Sequence, residues 1–160
     1  MALTASTVVA GPAVAAKGGN SDNAHACQQG GHENRFEAET GNRFKNAGDC
    51  VSHRALGGAT SSLQFLTAPL YPCSGGASGT CWGIISGSGL SPQADWFVID
   101  LGSFDILDRG VTGADGSLPP TALNFQCGGG EGGGPFIVQT FTSGGALIFV
   151  QVNSPCAEQP

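Results

Sequence analysis

Short apolar runs with a two-residue period fill the chain from about residue 59 to its end. In 95–101, Phe97, Ile99 and Leu101 alternate with Trp96 and Val98, so the two sets face opposite sides of a strand. The same period recurs in 121–127, 135–141 and 146–152, with shorter candidate strands at 63–67 and 80–86. Gly, Ser and Pro clusters separate the runs, and no helical period lies between them. The pattern predicts an all-β fold, an antiparallel β-sandwich.

Composition divides the chain into three predicted parts. Residues 1–24 are apolar and then polar, and Ala13-Val-Ala-Ala16 before Lys17 is typical of a signal-peptide cleavage site. A basic start is missing, so we expect a clipped signal peptide followed by a flexible linker. Residues 25–58 form a charged module with a cysteine near each end, and 59–160 form the sandwich domain. No other run approaches the roughly 18–20 apolar residues of a transmembrane helix, so we expect no membrane span.

The charge is distributed unevenly. Acids and bases cancel over residues 1–60, whereas Arg109 alone stands against seven acids in residues 61–160, which carry the whole net charge of −6. Nucleic-acid binding needs a basic surface that this distribution does not provide. The balance therefore excludes nucleic acid as a partner.

Six cysteines predict disulfides and an exported protein, since such bonds persist in oxidising compartments. Order along the chain favours three local pairs, Cys27–Cys50, Cys73–Cys81 and Cys127–Cys156, among the 15 pairings that six cysteines allow. Free thiols in a cytosolic protein are the alternative. No repeated C-x-x-C spacing of a zinc ribbon occurs.

The module holds all three histidines, which makes it the candidate metal site. His25, His32 and His53 could bind zinc together with Cys27 and Cys50, although the spacings only approach those of structural zinc sites. A Cys27–Cys50 disulfide leaves only the imidazoles as ligands. We favour the disulfide and expect no cofactor, and zinc held by the histidines stays the alternative.

Catalytic signatures are weak throughout the sequence. No G-x-S-x-G elbow occurs, and every histidine lies outside the sandwich part, which disfavours a Ser-His-Asp triad. The Gly-rich segment 128–135 lacks the Lys of a phosphate-binding loop and is predicted to be a loop. Single aromatics are more often core residues than sugar platforms, which applies to Tyr71, Trp82 and Trp96. A hydrolase or calcium site could draw its carboxylates from five acidic residues: Asp95, Asp100, Asp105, Asp108 and Asp115. We interpret these residues instead as solvated strand ends and turns.

Two segments resemble known families. Cys27 to Val51 is similar to a motif of small secreted proteins of Gram-positive, actinobacterial type, with Gly-Gly, Phe-Lys-Asn-x-Gly-x-Cys-Val-Ser and aromatics; His32 and His53 stand where that motif has aromatic residues. The matching positions are Cys27, Gly30, Gly31, Phe36, Phe44, Lys45, Asn46, Gly48, Cys50, Val51 and Ser52. This resemblance implies secretion and a disulfide-closed unit, and it transfers no activity. Residues 84–92 resemble the first strand and turn of secreted immunoglobulin-like domains, which implies an immunoglobulin-like sandwich.

We therefore expect a secreted, non-enzymatic binding or structural module whose partner is an extracellular protein or a cell-wall component. One alternative is a secreted metal-binding protein that uses the histidines. The other is a carboxylate-dependent hydrolase of wall polymers.

Overall fold

The computed structural model describes residues 25–28, 30–66, 80–126 and 135–153, with the backbone alone at 80–82 and 124–126. Within these ranges it contains a nine-residue helix and eight strands, and residues 25–27 are also helical. The elements are β1 (Arg35–Glu37), α1 (Ala47–Ala55), β2 (Thr60–Leu66), β3 (Thr80–Ser88), β4 (Asp95–Asp100), β5 (Ile106–Val111), β6 (Leu118–Gln126), β7 (Phe136–Phe141) and β8 (Leu147–Val152). All six strands predicted from the two-residue period are confirmed.

The strands form two four-stranded antiparallel sheets. The first sheet has the order β1-β2-β3-β6 and the second β5-β4-β7-β8. When β2, β3 and β6 are equated with strands A, B and E, the second sheet takes the order C′-C-F-G of immunoglobulin-like domains. The predicted fold class, an immunoglobulin-like sandwich with a small disulfide-closed module before it, is confirmed.

The core lies between the sheets and is built by the inward half of each alternating pattern. On β4, Trp96 and Val98 are buried, and on β7 the side chains of Phe136 and Val138 are 1% and 0% exposed. Both sheets contribute to one cluster, whose buried members are Phe36, Leu63, Ile85, Leu90, Trp96, Val98, Leu118, Leu123, Phe136, Val138, Ile148 and Val152. Burial of these side chains is the main free-energy source of the fold.

Three elements were not predicted from the sequence: β1, β5 and α1. On β5 the charges of Asp108 and Arg109 and the glycine after them hide the strand pattern, so the interpretation of Asp108 as a turn or strand-end residue is wrong. Gly110 is needed there because a Cβ atom would lie 2.5 Å from Cζ2 of Trp96. The glycine that weakens the strand signal thus makes room for a core tryptophan. Across the described ranges, no helix is long and apolar enough to cross a membrane.

The module is joined to the sandwich through β1. Arg35–Glu37 pairs with β2 as the edge of the first sheet, and Phe36 between them is 2% exposed within the sandwich core. The hydroxyl of Thr142, which follows β7, donates to the carbonyl of Ala38, and the amide of Ala38 donates to the carbonyl of Ala59 at 3.1 Å. The module therefore contributes structure to the sandwich.

Phe136 on β7 and Phe149 on the adjacent strand β8 test which face of the second sheet packs in the core. Phe136→Ala should lower the free energy of unfolding by about 3–5 kcal/mol because it leaves a cavity in the core, whereas Phe149→Ala, at a position 54% exposed, should cost less than about 1 kcal/mol. Urea unfolding of both variants measures the difference. Equal losses would contradict the assignment of the two faces.

Candidate functional site

The predicted Cys27–Cys50 pair is a disulfide, with the two Cα atoms 5.7 Å apart. Both cysteines are fully buried and pack with Phe44 and Val51 in a small second core. Asn46 begins the helix that carries Cys50: its side-chain oxygen accepts from the amide of Asp49 at 2.9 Å. Both sulfurs are bonded to each other, so neither is a metal ligand. The predicted pairs Cys73–Cys81 and Cys127–Cys156 involve side chains that lie outside the described residues.

The structure places the three histidines in different surroundings. His25 is exposed, and Nδ1 of His32 is buried with no hydrogen-bond partner among the described atoms. Nε2 of His53 lies 3.0 Å from the carbonyl oxygen of Ala59. Its ring packs on Phe44 with centroids 5.3 Å apart. Within the described ranges, no three His, Cys, Asp or Glu side chains lie close enough to hold a metal ion.

Two of the five candidate acids hold turns. Asp100 is 2% exposed, and its Oδ1 accepts from the amides of Gly102 at 2.6 Å and Ser103 at 3.3 Å, so it is buried instead of solvated. Oδ1 of Asp115 accepts from the hydroxyl of Ser117 at 2.6 Å and from its amide at 3.0 Å. These bonds lower the pKa of Asp115 below its ordinary value because they favour the carboxylate.

The other three acids differ in position. Asp95 begins β4 on the outward side, Asp105 is exposed in the turn before β5, and Asp108 lies within β5. Oδ1 of Asp108 accepts from the amide of Arg109 at 2.7 Å.

Two surface clefts lie in the described part of the chain. A cleft of about 440 Å³ beside the helix is lined by Glu37, Asn42, Arg43, Phe44, Lys45 and Asp49. A groove of about 350 Å³ crosses the outer side of the first sheet. In the groove the hydroxyls of Ser62 and Ser88 pair at 2.9 Å, and Gln64 donates to Ser86 at 2.8 Å. These four side chains thus form two hydrogen-bonded pairs on the outer side of the first sheet.

The outer side of the second sheet is largely apolar. On β4, Phe97 and Ile99 alternate with the buried Trp96 and Val98 and point away from the core. Neighbouring strands present the same kind of side chain. We define the apolar face as Phe97, Ile99, Ile106, Val111, Ile137, Phe141, Leu147 and Phe149.

The apolar face is open to solvent. Five of its side chains are between 39% and 58% exposed: Phe141, Leu147, Phe149, Ile106 and Val111. Phe141, Leu147 and Phe149 lie together on β7 and β8, and Phe141 pairs with Leu147. Ile106 and Val111 lie on β5, and Ile99 on β4 links Ile106 to β7 because it pairs with both Ile106 and Ile137. A contiguous exposed apolar patch of this kind marks a binding surface far more often than single exposed apolar residues do.

The module covers the outer edge of β8 and so borders the apolar face. The guanidinium of Arg43 donates to the carbonyl of Phe149 at 3.1 Å and to the carbonyl of Glu33 at 2.9 Å. It also lies over the ring of Phe36, 4.9 Å from its centroid. The backbone at Gly41 approaches β8 closely, since a Cβ there would lie 2.9 Å from the carbonyl oxygen of Leu147. Covering this edge hinders strand-to-strand aggregation and leaves the face free.

Sequence reasoning found the alternation on β4 but missed the apolar face. Both sets of alternating residues are apolar there, so the pattern alone does not tell which set points to the core. The available signal was the contrast with β2 and β3, where Ser62 and Gln64 alternate with Leu63 and Phe65, and Ser86 and Ser88 flank Gly87. A comparison with protein-family models finds no match, and a comparison with curated proteins finds no significant similarity. The function therefore has to be inferred from the site itself.

Removing the disulfide and removing metal test the chemistry of the module. The Cys27→Ala/Cys50→Ala variant should lose about 2–4 kcal/mol of unfolding free energy, because the bond closes a loop with a sequence separation of 23. EDTA should leave the thermal midpoint of the native protein unchanged, as measured by scanning calorimetry. An EDTA-dependent fall that is absent from the double variant would show that the cysteines bind metal.

Proposed function

We propose that the protein is a secreted, non-enzymatic binding module that associates with a protein partner through the apolar face. The observation that carries the proposal is the presence of eight apolar side chains on the solvent side of the second sheet. The five most exposed leave roughly 400 Å² of apolar surface in water, equivalent to about 10 kcal/mol of hydrophobic free energy not gained by folding. Association with another surface recovers part of it.

The shape of the site favours a macromolecule over a small ligand. Small molecules bind in concave pockets, whereas the apolar face lies on four paired strands of a sheet. At the outward positions of these four strands, only Asp95 and Arg109 are charged, and they pair across strands with Val111 and Phe97 of the apolar face. A large apolar area with few charges is the composition of the centre of a protein interface.

Secretion is supported by the covalent chemistry of the module. A buried disulfide persists in an oxidising compartment and is rare where glutathione keeps thiols reduced. The apolar segment that precedes Lys17 is consistent with an export signal.

Site-specific photocrosslinking tests the function in cells that export the protein. A photoreactive phenylalanine analogue at Phe149 should give a crosslinked protein product, because this side chain is 54% exposed within the apolar face. The matched control carries the analogue at Ala122, an exposed position on β6 in the other sheet. We expect no product from that control.

Two results would refute the binding role of the face. One is the absence of any product from Phe149 in a folded, exported protein. The other is an equal yield from Phe149 and Ala122, which would indicate non-specific contact.

A further inference from the structure

We infer that the partner at the apolar face is a second copy of this chain, docked about a twofold axis that runs diagonally across the face. This inference rests on the proposed function and specifies the partner. It follows from how the charges and apolar groups are placed on the strands of the second sheet.

The registers define a grid of outward positions on β5, β4, β7 and β8. Phe97 pairs with Arg109 and Gln139, and Gln139 pairs with Phe149, which fixes the middle row. The rows above and below follow from the pairs two residues away, except on β5, where a bulge pairs Ile99 with Ile106, three residues before Arg109. In the order β5, β4, β7, β8 the three rows are Val111, Asp95, Phe141, Leu147; Arg109, Phe97, Gln139, Phe149; and Ile106, Ile99, Ile137, Gln151.

The charges of the grid are self-complementary. Asp95 and Arg109 are its only charged members, one acid and one base, and they occupy adjacent strands. In the part of the chain that the structure describes, neither forms an ion pair with another side chain. A partner that covers the face has to neutralise both, because an unpaired charge buried at an interface is costly. A second copy supplies the complement of each in a twofold arrangement, where each contact occurs twice.

The spacing of the grid allows both contacts to form with the faces centred on each other. Adjacent strands lie about 4.8 Å apart, and two residues along a strand span about 6.8 Å. With these spacings, the perpendicular bisector of the line from Asp95 to Arg109 passes through the middle of the grid, between Phe97 and Gln139. Rotation about this bisector exchanges Asp95 with Arg109. It also places Phe149 of one copy over Ile137 of the other.

The remaining positions agree with the same axis. Val111 and Gln151, at opposite corners of the grid, fall close to the axis and lie over their own equivalents in the second copy. Strands of the two copies cross at about 70°, near the orthogonal class of sheet packing. The arrangement covers apolar groups with apolar groups and places no charge on an apolar residue.

The size of the face indicates a reversible dimer. Four strands of six residues measure about 19 by 20 Å, so two copies bury on the order of 1,000 Å² of accessible surface, near the lower limit for a specific interface. We expect the dimer to dissociate on dilution.

Sedimentation equilibrium of the full chain with exchanged charges tests the dimer and its axis. The wild type should show a concentration-dependent equilibrium between monomer and dimer. Asp95→Lys and Arg109→Asp should each raise the dissociation constant about tenfold or more, because each creates two like-charge contacts. The double variant D95K/R109D restores both pairs and should return the constant to within about threefold of the wild type.

Controls keep the test interpretable. Unfolding midpoints of all variants check that the fold is retained, and Phe149→Lys should abolish the dimer without unfolding the chain. A wild type that stays monomeric at every concentration overturns the inference, and so does a double variant that dimerises no better than the single variants. If photocrosslinking from Phe149 captures a different protein, the inference fails while the proposed function stands; if it captures nothing, the proposed function itself fails.

Discussion

The structure depends on the alternation of side chains along a β-strand, which forces every strand to present two faces. In the first sheet the outer positions are mixed: Ser62 and Gln64 bond to Ser88 and Ser86, and the apolar residues Leu66, Ile84 and Ala122 pair beside them. In the second sheet both faces are apolar. The inner one, with Trp96 and Val98, forms the core. Folding buries the inner face, whereas five apolar side chains of the outer face stay exposed, which is the basis of the proposed association.

The module controls which surfaces of the sandwich remain open. Its disulfide and its small core hold the segment that carries Arg43, and Arg43 caps the edge of β8 through the carbonyl of Phe149. An open strand edge pairs with other chains through main-chain groups, without regard to side chains. The covered edge borders the apolar face, the surface that the proposed binding would use. The cysteines that the sequence offered as metal ligands therefore have a structural role, since their disulfide closes the module that covers this edge.

Much of the fold could be predicted from the sequence, and the candidate site could not. Six strands follow from the two-residue period, and the Cys27–Cys50 pair follows from the order of the cysteines. The strand β5 was missed because its pattern is broken by Gly110, whose missing side chain is required by the ring of Trp96, a contact distant in sequence. The helix was missed because its residues include Gly48, Ser52 and His53, which are weak helix formers, and its beginning depends on the cap at Asn46.

The apolar face could not be predicted for a related reason. Phe97 and Trp96 are both apolar, so the two-residue period predicts two faces but does not show which of them is buried. Only the pairing of β4 with β5 and β7 assembles the outward residues of separate strands into one surface. The opposite charges of Asp95 and Arg109 become neighbours through the same pairing, although 14 positions separate them in the chain.

The most direct measurement of the central claim is an NMR concentration series on the uniformly labelled chain. Amides of β4, β7 and β8 lie under the apolar face, and those of β2 and β3 lie in the opposite sheet. The account predicts that raising the concentration shifts the amide resonances of the second sheet and leaves those of the first unchanged. Shifts that cluster on the first sheet, or resonances that stay constant at every concentration, would contradict self-association through the apolar face.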